Sequence, residues 1–246
     1  MGMILNEEQT LLQDSAREFF KGKAPVTALR ALRDEKDATG YSKGLWKSMV
    51  DMGWPGIIVP EAYGGLDFGF QGLTIVLEQS GQGLTASPLV STVLLGASTL
   101  VLGGSEAQKE TLLPQIVSGD LTMTLAVDEG AHFDPAGIAL EAKAAGAGFV
   151  LTGQKTLVLD GHVADKIIVA ARTSGSAGDR GGITLFVVDG NAVGDLNGDD
   201  ELGENDRFAT LTQTGIAPDT KILIEDATNP TICLGTECVS AVVPVD

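Results

Sequence analysis

The hydrophobic pattern of this 246-residue chain changes period once, near Gly119, and that change constrains the fold more than any other feature. Before it, apolar residues recur at helical spacing. From Leu121 onward the period is two, and Thr, Val and Ala dominate. Helices followed by strands, without alternation of the two, predict an α+β chain. The expected architecture is an all-α domain over residues 1–120, then an antiparallel β-barrel or sandwich domain over residues 121–246.

Local signals place the elements. Asn6 and Gln9 form a capping box, and Leu11, Leu12, Ala16, Phe19 and Phe20 are read onto one helical face. Gly22 and Pro25 are expected to break that helix. A second short helix follows over residues 26–34, and a third carries Leu45, Met49 and Met52. Residues 54–65 hold two Pro and several Gly and are expected to be a loop crossing the domain. Two long helices are expected over 71–83 and 88–102. Ser105 and Gln108 form a second capping box, opening a helix to Val117. Strands are expected over 121–127, 138–144, 149–151, 156–158, 167–171, 183–188, 209–214 and 221–224.

Charge and composition exclude several function classes. The formal net charge of -17 argues against nucleic acid and anionic membranes as partners. The apolar run at 89–102 is interrupted by Ser91, Thr92, Ser98 and Thr99 and is too short to span a membrane. The first residues lack the pattern of a signal peptide, and Cys233 and Cys238 read as reduced thiols, so a cytoplasmic location is expected. No metal site is expected. The acidic run 195–206 has its Gly at the fourth rather than the sixth position of a calcium loop and is read as a solvated loop. His132 and His162 have no Ser or Asp partner at evident spacing and read as loop residues.

The stretch 151–165, LTGQKTLVLDGHVAD, reads as two short strands joined by a turn at Asp160-Gly161. It resembles the β-domain segment of acyl-CoA dehydrogenases, N-G-x-K-x-(W/F)-I-T-N-G-x-x-A-D, followed by a strand ending in A-R-T. Further segments resemble the same family in its own order. Residues 53–65, GWPGIIVPEAYGG, are similar to its helical-domain loop, and residues 104–119 to its G-x-x-x-Q-K-x-x-x-L-P segment. Residues 182–188 and 211–218 resemble its later strands. Residues 86–89 and 158–161 look like a bacterial branch that includes enzymes of sterol side chains.

The resemblance implies a helical domain, a β-domain and a C-terminal helical bundle, of which this sequence is expected to cover the first two. It implies FAD-dependent α,β-dehydrogenation of an acyl-CoA thioester, a place in lipid metabolism, electron-transfer flavoprotein as acceptor, and a homo- or hetero-oligomer. The cofactor-binding positions implied are Val127, Asp128, Leu157 and Leu159; the substrate-binding positions are Phe133 and Asp134. They depart from the family's pattern. Asp128 stands for a Thr that reaches the flavin ring, Gly130 for a Pro, and Phe133 for a Ser near substrate. Leu157 replaces an aromatic residue that flanks the flavin, and Leu159 replaces a Thr.

Each lost hydrogen bond costs about 1 kcal/mol, so FAD is expected to be bound more weakly or lost. A carboxylate beside reduced flavin is unfavourable unless paired. No catalytic residue is assigned, because the family's base lies in the C-terminal bundle. Glu61, Glu78 and Glu129 match other family acids and read as structural or surface carboxylates. Arg172, Arg180 and Arg207 are candidates for CoA phosphates, but read as surface ion-pair partners. Three readings stay open: a dehydrogenase chain needing a partner for bundle and base, a non-catalytic interaction subunit, and an inactive truncated product. In each the isolated chain is inactive.

Overall fold

The computed structural model describes residues 5–145 and 148–190, together with the backbone of four short strands, Gln213–Ile216, Lys221–Ile222, Ile232–Leu234 and Glu237–Val239. Six α-helices lead: α1 Glu7–Lys23, α2 Val26–Asp34, α3 Lys43–Asp51, α4 Gly69–Gln82, α5 Ser98–Gly103 and α6 Glu106–Val117. The capping box of α1 closes in both directions, Gln9 N to Asn6 Oδ1 at 2.8 Å and Asn6 N to Gln9 Oε1 at 3.0 Å. Ser105 and Gln108 do the same for α6. Ala16 and Phe20 are buried along α1, with Leu12 and Phe19 half-buried beside them. Leu11 departs from expectation and is 70% exposed. Positions 12, 16, 19 and 20 make one stripe at helical spacing, and residue 11 falls outside it. The helix also runs through Gly22 and stops before Pro25.

The segment after α3 is irregular but forms part of the core. Trp54 stacks on Phe20 with ring centroids 5.1 Å apart and meets Phe19 edge-on at 4.7 Å. Its backbone is satisfied locally: Leu66, Asp67 and Phe68 donate to the carbonyls of Gly56, Val59 and Ile57. Gly65 is required here, because a Cβ would sit 1.9 Å from the Val59 carbonyl oxygen. The helix expected over 88–102 forms with a wider ladder in its first part. Leu89–Ala97 is π-helical and continues directly into α5. Its Gly96 lies against Met123, where a Cβ would approach to 2.7 Å.

The strands are β1 Met123–Ala126, β2 Glu141–Ala145, β3 Gly148–Thr152, β4 Lys166–Arg172, β5 Ile183–Asp189, β6 Gln213–Ile216, β7 Lys221–Ile222, β8 Ile232–Leu234 and β9 Glu237–Val239. The first seven form one curled sheet in the order β6-β3-β2-β4-β5-β7, with β1 also on β4. The α+β order is as expected. The sheet, however, is mixed: β1 runs parallel to β4, as does β2 through Glu141 and Arg172, and its other pairs are antiparallel.

No strand forms at 156–158. Leu157 and Asp160 have φ of 55° and 54°, which an extended chain does not allow. The expected strand at 138–144 starts only at Glu141. Residues 209–212, 223–224, the acidic run 195–206 and Arg207 lie outside the described residues. The β8–β9 hairpin, which brings Cys233 opposite Cys238, was not anticipated.

Side chains along β4 and β5 alternate between two apolar clusters. Ile168, Ala170, Ile183, Leu185 and Val187 join the core of the helical half. Ile167, Val169, Ala171, Phe186 and Val188 face the opposite side, with Leu140, Leu151 and Val158. Period-two alternation with both faces apolar explains why these strands read as continuous hydrophobic runs.

Candidate functional site

On the second face of the sheet, Lys155 is fully buried and draws two chain segments together. Its Nζ donates to Glu129 Oε1 at 2.6 Å and to the Val127 carbonyl at 3.0 Å. Glu129 in turn accepts from the backbone N–H of Ala139 at 2.7 Å and of Leu140 at 2.9 Å. Burial pushes the Glu129 carboxyl up, but Lys155 and these two N–H groups outweigh it and hold the carboxyl below its usual range. Burial lowers the Lys155 ammonium, and Glu129 opposes that. The Glu129 shift favours its charged form, whereas the Lys155 shift, set by burial, runs against its charge; the short Nζ–Oε1 contact is what marks the two as a pair. Glu129 is therefore structural, as expected, while Glu61 and Glu78 are exposed.

The clamp sets 127–130 alongside 155–159. Thr156 N donates to the Asp128 carbonyl at 2.8 Å, and Thr124 Oγ1 to the Leu159 carbonyl at 2.6 Å. Val127, Asp128, Leu157 and Leu159 are thus brought together. Leu157 and Leu159 are 49% and 44% exposed and flank the buried Val158. Phe133, 58% exposed, lies further along the same loop. Asp134 is occupied otherwise, its Oδ1 accepting from Gly137 N at 3.1 Å to cap a 3-10 turn.

Asp128 is the anomaly. Its Oδ1 is buried with no hydrogen-bond partner. Burial raises its carboxyl above the usual range, and Lys155 only partly offsets this. Between the ordinary and the raised value the folded chain holds the proton that the unfolded chain has released. Stability therefore falls as pH rises through that window and stays reduced above it. Asp128→Asn is expected to raise stability at neutral pH by about 1 kcal/mol, or about 2–4 °C in Tm, with the gain vanishing in acid. Thermal melts at both pH values check this.

A second polar cluster escaped the sequence reading. Ser91, buried in the π-helical segment, donates to Asp160 Oδ2 at 2.5 Å. His162 lies beside Asp160, with a buried Nδ1 that has no partner, and its Nε2 lies 3.9 Å from where a Gly40 Cβ would stand. Burial raises the Asp160 carboxyl, against the Ser91 hydrogen bond and His162. This cluster fastens the 159–162 turn to the helical half. Residues 69 positions apart in sequence leave no local signal of such a bond. His132 is exposed, as expected.

Arg172 was read as a surface residue and is buried at 6% exposure. Its guanidinium donates to the carbonyls of Ile138 (2.7 Å), Gly181 (2.9 Å), Ala136 (3.0 Å), Asp179 (3.2 Å) and Ser174 (3.5 Å). With all five donors engaged, it organises the 173–182 loop and has none left for a phosphate.

Among the described residues no cluster of His, Cys, Asp or Glu could hold a metal ion, and no helix is long and apolar enough to cross a membrane.

Residues 6–120 match the family described as "Acyl-CoA dehydrogenase, N-terminal domain". The chain belongs to the acyl-CoA dehydrogenase family. Isovaleryl-CoA dehydrogenase of Arabidopsis thaliana is 30% identical over 195 residues, covering 78% of this chain and 47% of that protein. Among solved structures, the ChsE4-ChsE5 complex of Mycobacterium tuberculosis superposes with a TM-score of 0.74 at 26% identity, over 92% of this chain and 59% of that one. A variant of the Tcur3481-Tcur3483 steroid ACAD gives 0.69 at 29% identity, over 87% and 55%. This chain spans about half the length of the curated relatives it matches.

Family membership raises the question of FAD. An oxidised isoalloxazine edge offers mainly acceptor atoms and calls for donors. The side chains here supply a carboxylate with an orphaned buried oxygen and two leucines, and they do not fit that ring.

Proposed function

We propose that this chain is one component of an acyl-CoA dehydrogenase-type assembly. In this reading, FAD-dependent α,β-dehydrogenation of an acyl-CoA thioester is carried out together with a partner chain that supplies the general base. The observation that carries the reading is the Lys155–Glu129 clamp, which joins the two segments that the family resemblance assigns to the cofactor. The two-component naming of both structural neighbours supports a partner chain. Residues 1–120 serve as the helical platform and residues 121–246 as the β part. Val127, Asp128, Leu157 and Leu159 form the cofactor-side wall, and Phe133 and Asp134 lie toward substrate. Electrons pass to an electron-transfer flavoprotein, and the assembly is an oligomer that works in cytoplasmic lipid metabolism.

Proton abstraction from the thioester's α-carbon falls to the partner's base. The expected result is that the purified chain alone reduces no artificial electron acceptor with any acyl-CoA, and that turnover appears on mixing with a full-length family chain. Turnover by the chain alone would overturn the partner requirement.

A second reading, a non-catalytic interaction subunit, is favoured by the exposed Leu157, Leu159 and Phe133 on this face. Turnover separates the two: activity that appears only when this chain and its partner are mixed supports the first, and partner activity that this chain leaves unchanged supports the second.

A further inference from the structure

We infer that Asp128 sets which ligand the 127–130/155–159 face accepts, and that it turns the isoalloxazine ring of FAD away. The inference rests on the reading of this face as the cofactor side of the chain.

Four observations carry it. Asp128 Oδ1 is buried without a donor, so the fold itself does not satisfy it. The nearest cation is already committed, since Lys155 Nζ bonds Glu129 and the Val127 carbonyl. Leu157 and Leu159 bring no polar side-chain atom that could compensate, and they stand outward on either side of buried Val158. The backbone framework is nevertheless in place, through Thr156 N to the Asp128 carbonyl at 2.8 Å and Thr124 Oγ1 to the Leu159 carbonyl at 2.6 Å. Side-chain chemistry, and not a collapsed framework, therefore decides acceptance.

A carboxylate accepts hydrogen bonds. The pyrimidine edge of oxidised isoalloxazine carries two carbonyl oxygens and ring nitrogens that also accept, against one N–H. Acceptor facing acceptor in a partly desolvated place is unfavourable twice, through repulsion and through the bond that neither can make. The complement of Asp128 is a donor or a cation.

The test is a titration of the purified chain with FAD at neutral pH, followed by flavin fluorescence and by equilibrium dialysis. The proteins are the wild type, Asp128→Thr, Asp128→Asn, the Leu157→Trp/Leu159→Thr double variant, and the triple variant combining Asp128→Thr with that double. Circular dichroism and melting confirm that each is folded. Asp128→Thr is expected to tighten FAD by about tenfold and Asp128→Asn by several-fold, each hydrogen bond being worth roughly that factor. The double variant gains less than Asp128→Thr alone, and the triple variant gains more than either but less than about a hundredfold. Low-micromolar stoichiometric binding by the wild type would overturn the inference. So would an Asp128→Thr protein no tighter than wild type, whether the double variant gains or all variants stay silent. None of these outcomes bears on turnover with a partner chain, so failure here and failure of the functional reading are read from different experiments.

Discussion

Lys155→Met lowers the stability of this protein by about 3 kcal/mol, or about 6–12 °C in Tm. The methionine stem fills the volume of the lysine stem, so the loss is electrostatic. Glu129 keeps its two backbone donors but is left as a partly buried carboxylate with no counter-charge, and the Val127 carbonyl loses its donor. Breaking one half of such a pair costs more than the pair contributes, because the remaining charge stays desolvated. Adding Glu129→Gln to Lys155→Met is therefore expected to recover part of the loss.

The pH dependence follows from the sign of the Glu129 shift. Its carboxyl is depressed in the folded state, so its contribution is present above the unfolded value and is lost as pH falls through the folded one. The Lys155→Met protein loses that acid-sensitive component, and its stability curve flattens at low pH. Hydrogen exchange localises the effect, with protection lost first at Thr156, whose N–H bonds Asp128. A Tm within 1 °C of wild type, on the same scale of about 2–4 °C per kcal/mol, would contradict the clamp.

Replacement of Arg172 by alanine is expected to be at least as damaging, at about 4 kcal/mol. Five carbonyls lose a donor at once; that of Ala136 keeps the Gly178 N–H, while that of Ile138 belongs to a buried residue. Arg172→Lys tests the geometry separately from the charge. An ammonium has three donors on one atom and cannot span acceptors spread from Ala136 to Gly181, so lysine should restore less than half of the loss. Full rescue by lysine would mean that positive charge, and not the planar fork, holds the 173–182 loop. Thermal and urea melts of the two variants give the answer.

Much of the fold was readable because its signals are local. Two capping boxes, the bounds of α2 and the β4 and β5 runs follow from residues within a few positions of each other. Leu11 was misplaced by one position on a helix, where one residue turns a side chain by about 100°. The site was readable only in outline. Asp128, Leu157 and Leu159 were picked out by resemblance, but the loss of a strand at 156–158 depends on positive φ at Leu157, a backbone state that leucine rarely adopts. Arg172 shows the limit most plainly. In one dimension it is a charged residue in an acidic chain. In three dimensions, backbone carbonyls from two loops surround it, and sequence carries no mark of a carbonyl in need of a donor.

The sharing of β4 and β5 between two apolar clusters has a consequence for how the molecule comes apart. Ile168, Leu185 and Val187 belong to the same buried cluster as Phe20, Trp54 and Val76, while their neighbours Ile167, Phe186 and Val188 belong to the other. The two halves that differ so clearly in sequence pattern therefore have a common wall. Pulling the sheet away from the helices would strip one side of the wall and leave the other standing on a ribbon wet along half its surface. Heat should meet one obstacle and not two, so the chain melts in a single step although it is written in two styles.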